Sequence, residues 1–351
     1  MAAQPIDITS FLAQRGASVV LDVRSPAEYA LGHIPGALSL PLFTDAERAK
    51  VGTAYKQIGP EKAVEIGLEI VGPKLTFYVA EARRLAGDLP ILMYCWRGGQ
   101  RSASMAWLLD MAGLNVAVLQ GGYKSWRGAI EEQFRFNWDF RVIGGKTGSG
   151  KTDLLLALAA AGEQIIDLEA LALHRGSSFG GMEMDSQPST EHFANLLGDQ
   201  LLHCDKKNHL WVEDESRMIG TVHLPEQFYK QLRQAPLLVL DVPLKDRIKR
   251  LVLAYGQAPD HLLREAFERI RKKLGGQHLK AAFEALDHDD RAAAAAIALS
   301  YYDKAYTYDL TAKNTNNIWH FEVKTQNMPT LAHEIIHFFN TQPLHTWTIN
   351  A

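Results

Sequence analysis

The chain has 351 residues, of which 47% are hydrophobic and 22% charged, with a formal net charge of −3. These are ordinary values for a soluble globular protein of two or three domains, and they exclude a uniformly basic body built for nucleic acid. No run approaches the roughly eighteen apolar residues of a membrane span, the Met1–Pro5 opening lacks a secretory signal, and only Cys95 and Cys204 are cysteines, so a disulfide scaffold is excluded and a cytoplasmic protein is expected.

In chain order, Val19–Val23 reads as a short buried strand, followed by a turn and helix start over Arg24–Tyr29. His33–Leu40 returns into a second short strand. Residues 44–88 are long for a loop, and their charged and apolar pattern predicts inserted helices. Pro90–Tyr94 is a strand ending at Cys95, Ser102–Ala112 is helical, and Val116–Leu119 is another strand. Alternating short strands and helices predict an α/β layer with a parallel sheet. A second segment opens near residue 138. Phe140–Ile143 is a strand, Thr152–Ala161 a helix, and Gln164–Asp167, His209–Glu213 and Leu237–Asp241 further strands. From about residue 244 the pattern becomes helical, with a late strand over Ile318–Val323 and a helix near 328–340. The expected domains are 1–132, 138–243 and a mainly helical extension, 244–351, completing the second.

Two loops carry chemistry. Cys95-Trp96-Arg97-Gly98-Gly99-Gln100-Arg101 follows a strand and precedes a helix, so its amides and the helix N-terminus favour an anion. Cys95 is the candidate nucleophile; Arg97, Gly98, Gly99 and Arg101 are candidate anion-binding residues. The alternative is a small buried hydrophobe at a strand end. The second loop, Gly145-Lys146-Thr147-Gly148-Ser149-Gly150-Lys151-Thr152, fits G-x-x-x-x-G-K-[ST] between a strand and a helix. Gly145, Gly148 and Gly150 let amides surround phosphate oxygens, Lys151 adds a charge, and the Thr152 hydroxyl can reach a magnesium ion.

An acid beside such an ion should end a neighbouring strand. Glu213, Asp214 and Glu215, with Arg217 nearby, compete with Asp241, which also reads as a turn before Pro243. Asp167, Glu169, His174, Arg175, Ser177 and Ser178 pack acid, imidazole, guanidinium and hydroxyls into a short stretch and are candidate site-lining residues. Arg264, Arg269, Arg271, Lys272, Lys273 and Lys280 form a basic stretch, read either as a solvated helix face or as a phosphate contact. Trp96 reads either as a platform for a splayed base or as packing. Cys204 has no assigned role.

Leu21–Tyr29, Gly32–Ala37, Cys95 and Leu119–Trp126 resemble the rhodanese sulfurtransferase domain in order and content, over about residues 5–130. That resemblance makes Cys95 the persulfide-forming position and Asp22, Arg24, Glu28 and His33 scaffold. Cys95 to Arg101 spans seven residues where many single-domain rhodaneses use six; a Cys-x5-Arg spacing also resembles rhodanese-fold phosphatases, but Tyr94 stands where those carry histidine. With the Lys151 loop, Asp167–Gly180 and Val212–Arg217 added, nearly the whole chain resembles the tRNA 2-selenouridine synthase family. The implied fold is α/β: a rhodanese-like parallel-sheet domain, then a P-loop α/β domain with a helical C-terminal appendage. The resemblance implies a transferase that replaces sulfur by selenium in the wobble 2-thiouridine of tRNA. Its implied substrates are selenophosphate and geranyl diphosphate, with an S-geranyl-2-thiouridine intermediate. No tightly bound cofactor is expected and magnesium is compatible. tRNA is the expected partner and a selenophosphate-supplying enzyme a candidate one. The competing readings are a sulfurtransferase fused to a P-loop ATP-dependent kinase, and a non-enzymatic oxyanion sensor.

Overall fold

The computed structural model describes residues 4–174, 186–313 and 317–341. The chain divides into two compact units, the first reaching to Phe134 and taking in Glu191–Leu202, the second comprising Arg135–Thr190 and the residues from His203 onward.

The first unit opens with β1 (Gln4–Ile6), α1 (Ile8–Gln14), β2 (Val19–Asp22), α2 (Pro26–Leu31) and β3 (Leu38–Ser39). Three helices follow, α3 (Asp45–Gln57), α4 (Pro60–Val71) and α5 (Leu75–Ala86), filling the interval where inserted helices are expected. β4 (Ile91–Tyr94), α6 (Gln100–Met111), β5 (Val116–Leu119) and α7 (Gly122–Arg135) complete the α/β layer. The sheet order is β1-β5-β4-β2-β3, and every pairing is parallel. β4 is buried along its whole length, as a central parallel strand covered on both faces must be. β1 escapes sequence reading because it is three residues with Pro5 in the middle, a composition tolerated only at a sheet edge. α3 starts where Thr44 accepts from the Glu47 amide at 3.3 Å and Glu47 accepts from the Thr44 amide at 2.9 Å, a reciprocal cap.

The second unit contains β6 (Phe140–Gly145), α8 (Lys151–Ala160), β7 (Ile165–Ile166) and α9 (Leu168–Ala172). After α10 (Thr190–His203) come β8 (Leu210–Glu213), a small hairpin of β9 (Met218–Ile219) and β10 (Val222–His223), α11 (Glu226–Gln234) and β11 (Leu237–Asp241). α12 (Leu244–Tyr255), α13 (Asp260–Leu274), α14 (Gly276–Asp287) and α15 (Arg291–Thr311) then make a helical lobe with its own core, centred on Phe267, Ile270, Ala282 and Ala298. β12 (Ile318–Glu322) and α16 (Met328–Thr341) return to the sheet, whose order is β12-β11-β6-β8-β7, again all parallel. α16 buries Leu331, Ile335 and Phe339 with Leu154, Leu155 and Leu158 of α8. The expected late strand and helix are therefore integral layers of the second unit.

One element departs from the expected domain limits. Residues 191–202 of α10 belong to the first unit, although they fall inside the 138–243 interval. Asn195 donates to the Tyr123 hydroxyl at 2.6 Å and to the His33 carbonyl at 2.9 Å, and Arg15 pairs with Asp199 at 2.5 Å. The helix buries Phe193, Leu197 and Leu201, so its apolar face and its polar contacts agree.

Candidate active sites

The thiol loop is held from below by the backbone. The Tyr123 amide donates to the Cys95 carbonyl at 2.8 Å and the Lys124 amide to the Trp96 carbonyl at 3.0 Å. Two glycines permit this approach. Gly122 has φ +59°, and a Cβ there would lie 2.3 Å from the Cys95 carbonyl; Gly98 has φ +65°, and its Cβ would lie 2.8 Å from the Leu119 carbonyl. Cys95 is 3% exposed, and the Ser102 hydroxyl lies 3.1 Å from its sulfur and 3.2 Å from the Gly99 carbonyl, its one hydrogen serving one at a time. Ser102, on the first turn of α6, is a site residue that the glycine and arginine pattern does not reveal.

The two arginines of this loop differ. Arg101 is clamped by Glu28 at 2.7 and 3.3 Å, which neutralises it. Burial alone would raise the Glu28 carboxyl, but Arg101 outweighs it and leaves the group below its ordinary value. Arg97 is exposed and, among the described residues, makes no ion pair, so it is the loop cation open to an incoming oxyanion. Asp22 and Arg24 form a fully buried pair at 2.6 Å, with the Arg24 guanidinium 3.9 Å from the Tyr123 ring centroid. They brace the strand ends beneath the loop. Trp96 is 39% exposed at the rim.

The phosphate loop leaves β6 and enters α8 through Gly145, Gly148 and Gly150, all at positive φ. At Gly150 a Cβ would fall 1.7 Å from Arg250 Nη1, which donates to the Ser149 carbonyl at 2.7 Å. Arg247 donates to the Thr147 carbonyl at 3.2 Å and is anchored by Asp303 at 2.7 Å. Two arginines of α12 thus grip the loop by its carbonyls; the Ser149 amide donates to the Lys146 carbonyl at 3.0 Å, and the other loop amides are the ones placed to meet a ligand. Lys151 Nζ donates to the Gly145 carbonyl at 3.3 Å, and the Ser149 hydroxyl is buried without a partner among the described residues.

At the base of α8 the acids converge. The Thr152 hydroxyl lies 3.1 Å from Glu169 and 3.3 Å from Glu213, and its one hydrogen serves one at a time. The Glu169 amide donates to Glu213 at 3.2 Å, and one carboxylate oxygen from each of Glu169, Glu213 and Glu215 lies within 4.8 Å of the others. Burial, reinforced by Glu169 and Glu215, pushes Glu213 well above the usual carboxylate range. Burial also pushes Glu215 up to about 8, against the pull of Lys151 and with Glu169 and Asp214 adding to the rise. Three carboxylates and a hydroxyl are the hard oxygen donors that a magnesium ion takes, and these residues fit one.

The remaining expected site residues separate. Asp167 caps α9 by accepting from the Ala170 amide at 2.8 Å. Asp214 is buried in an ion pair with Lys313, outside the acidic cluster. Asp241 pairs with the exposed His320 at 3.0 Å, consistent with its reading as a strand-end residue. Burial, then the Arg269 charge, lowers the His174 imidazole below its ordinary value. Arg217 is exposed. Arg175, Ser177 and Ser178 lie outside the described residues. On α13 and α14, Arg264, Arg269, Arg271 and Lys280 each lie within 4 Å of an acidic side chain, as on a solvated helix face.

Residues 9–129 match the rhodanese-like domain, and residues 138–334 match the tRNA 2-selenouridine synthase AAA domain. A tRNA 2-selenouridine synthase of Marinobacter nauticus is 35% identical over 336 residues, covering 84% of this chain and 89% of the relative. One from Sulfurovum is 36% identical over 331 residues, covering 83% and 88%. One from Bdellovibrio bacteriovorus is 42% identical over 239 residues, covering 65% and 62%. The chain belongs to the tRNA 2-selenouridine synthase family. In this member of the family, each unit presents one loop of unlike chemistry: a buried thiol with an exposed arginine on the same loop, and a phosphate cradle beside a carboxylate cluster. Among the described residues, no helix is long and apolar enough to cross a membrane.

Proposed function

We propose that this protein makes 2-selenouridine in tRNA by exchanging the sulfur of a wobble 2-thiouridine for selenium. In this reading the phosphate loop holds geranyl diphosphate and the sulfur is first alkylated, because a thiocarbonyl sulfur is a poor leaving group and a thioether is a better one. The selenium of selenophosphate then adds at the same ring carbon, the alkyl thiol departs, and water cleaves the Se–P bond to release phosphate and leave the seleno base. Lys151, the loop amides and a magnesium ion on Thr152 and the acidic cluster would neutralise the diphosphate; Cys95 and Arg97 would serve the selenium step.

The observation that carries this reading is what adjoins the phosphate loop. Thr147 sits at the edge of a cleft in the helical lobe lined by Leu251, Tyr255, Leu263, Phe267, Ala298 and Tyr302. A nucleobase needs donors and acceptors around its edges; this lining offers Arg291 and the Thr147, Tyr255 and Tyr302 hydroxyls, and is otherwise hydrocarbon. It suits a phosphate ester with an apolar tail better than ATP, which disfavours the kinase reading. The cleft offers about 60 Å³ as it stands, room for only part of a ten-carbon chain.

Mass spectrometry of tRNA nucleosides tests the proposal. A strain lacking the gene should lose 2-selenouridine, and the wild-type gene should restore it. Retention of 2-selenouridine in the deletion strain would overturn the assignment, and ATP turnover by the purified protein without tRNA would favour the kinase.

A further inference from the structure

A second apolar cleft lies in the first unit, beside the thiol loop and unexplained by the chemistry above. One wall is the inserted helices: Val51 and Tyr55 of α3 face Val64, Leu68 and Val71 of α4. These positions recur at helical spacing, so each helix turns one apolar stripe into the cleft. The stripes are not sealed by packing, since Tyr55 remains 59% and Leu68 67% exposed. The opposite wall is the first turn of α6, contributing Arg101 and Ala103. Between those two residues stands Ser102, whose hydroxyl lies 3.1 Å from the Cys95 sulfur. The cleft therefore borders the helical turn that holds the nucleophile.

Its volume is about 390 Å³, within the ordinary range of roughly 300–1,000 Å³ for small-molecule sites. Its principal charge, Arg101, is neutralised by Glu28, so an anion finds little there. A hydrocarbon group finds nearly everything it needs. We propose that this cleft receives the alkyl group of the S-alkylated base while selenium replaces the alkylthio group at the ring carbon beside the thiol loop. This rests on the proposed route through an S-alkylated intermediate. Under that route the substrate brings a ten-carbon chain to Cys95, and leaving the chain in water would forgo roughly fourfold in affinity per methylene. The same cleft would hold the departing alkyl thiol.

The test uses the full-length protein and two anticodon stem-loop RNAs, one with S-methyl-2-thiouridine and one with S-geranyl-2-thiouridine. Fluorescence anisotropy should show the wild type binding the geranyl RNA about tenfold or more tighter. Val64→Trp and Ala103→Trp, both at exposed positions, fill the cleft from opposite walls. Each should abolish the preference and leave affinity for the S-methyl RNA unchanged. If the preference survives both fillings, the chain binds elsewhere and the cleft assignment is overturned while the route stands. If the wild type shows no preference, the assignment is overturned in any case. Nucleoside mass spectrometry after incubation with geranyl diphosphate then decides the route separately: S-geranyl nucleoside keeps it, and none removes it. A wild-type dimer in sedimentation that Val64→Trp dissociates would instead make the cleft a surface between copies, and would also overturn the proposal.

Discussion

At the scale of single residues, the acidic cluster makes the clearest pH prediction. Glu215 is pushed up to about 8 in the folded chain, against about 4.3 for an unperturbed glutamate. A carboxyl that is more basic when folded keeps its proton longer in the native state. Its contribution is full below about pH 4.3 and is lost as pH rises through about 8. Glu213 shifts in the same direction. Without divalent cation, the melting temperature should therefore fall between pH 5 and 8. Magnesium should raise it most at the upper end, where the carboxylates are charged. Glu215→Gln should flatten the slope, and a slope unchanged by that substitution would mean the cluster is not its source. Gly150 gives a second test at this scale. Its φ of +82° and the Arg250 guanidinium behind it both exclude a side chain, so Gly150→Ala should cost about 1–3 kcal/mol and abolish pyrophosphate binding. Arg250→Ala should relieve the crowding but not the backbone strain, so calorimetry of the double variant should show partial rescue. These residues also show what a sequence discloses. The glycines, Lys151 and Cys95 are legible because a short contiguous loop fixes their chemistry. Arg247, Arg250 and Ser102 are not, because what matters is where a neighbouring helix brings them.

At the scale of elements, α10 sets the limit of sequence reading. Neither this helix, Thr190–His203, nor the surface it covers is among the elements read from the sequence. Membership in the first unit comes from long-range contacts: Asn195 with Tyr123 and His33, and Gly198 against Ile130. A Cβ at Gly198 would lie 2.4 Å from Ile130 Cβ. Gly198→Leu should push the helix away and destabilise the first unit by about 1–3 kcal/mol. Hydrogen exchange should report the change in α10 and in the Tyr123 region, which supports the Cys95 carbonyl, while α8 stays protected. Equal loss of protection in α8 would show that the helix is not tied chiefly to the first unit. The central parallel strands were legible from short apolar runs alternating with helices. The two-residue strands β9 and β10 were not, because hairpins so short carry no periodicity.

At the scale of the whole molecule, two loops of different chemistry on two compact units imply separable steps. Loss of the phosphate cradle should block the first and, through it, the second; loss of the thiol should block only the second. Cys95→Ala should therefore accumulate S-geranyl-2-thiouridine in tRNA with no 2-selenouridine, whereas Lys151→Ala should leave 2-thiouridine unmodified. Supplying tRNA that already carries the S-geranyl group sharpens the distinction. With selenophosphate present, Lys151→Ala should convert that tRNA to the seleno form at close to the wild-type rate, and Cys95→Ala should not. Nucleoside mass spectrometry over a time course reads both. If Lys151→Ala fails on the pre-alkylated tRNA as well, the phosphate loop also serves the selenium step and the steps are not separable. If Cys95→Ala selenates at the wild-type rate, the buried thiol is structural and selenium reaches the base without it.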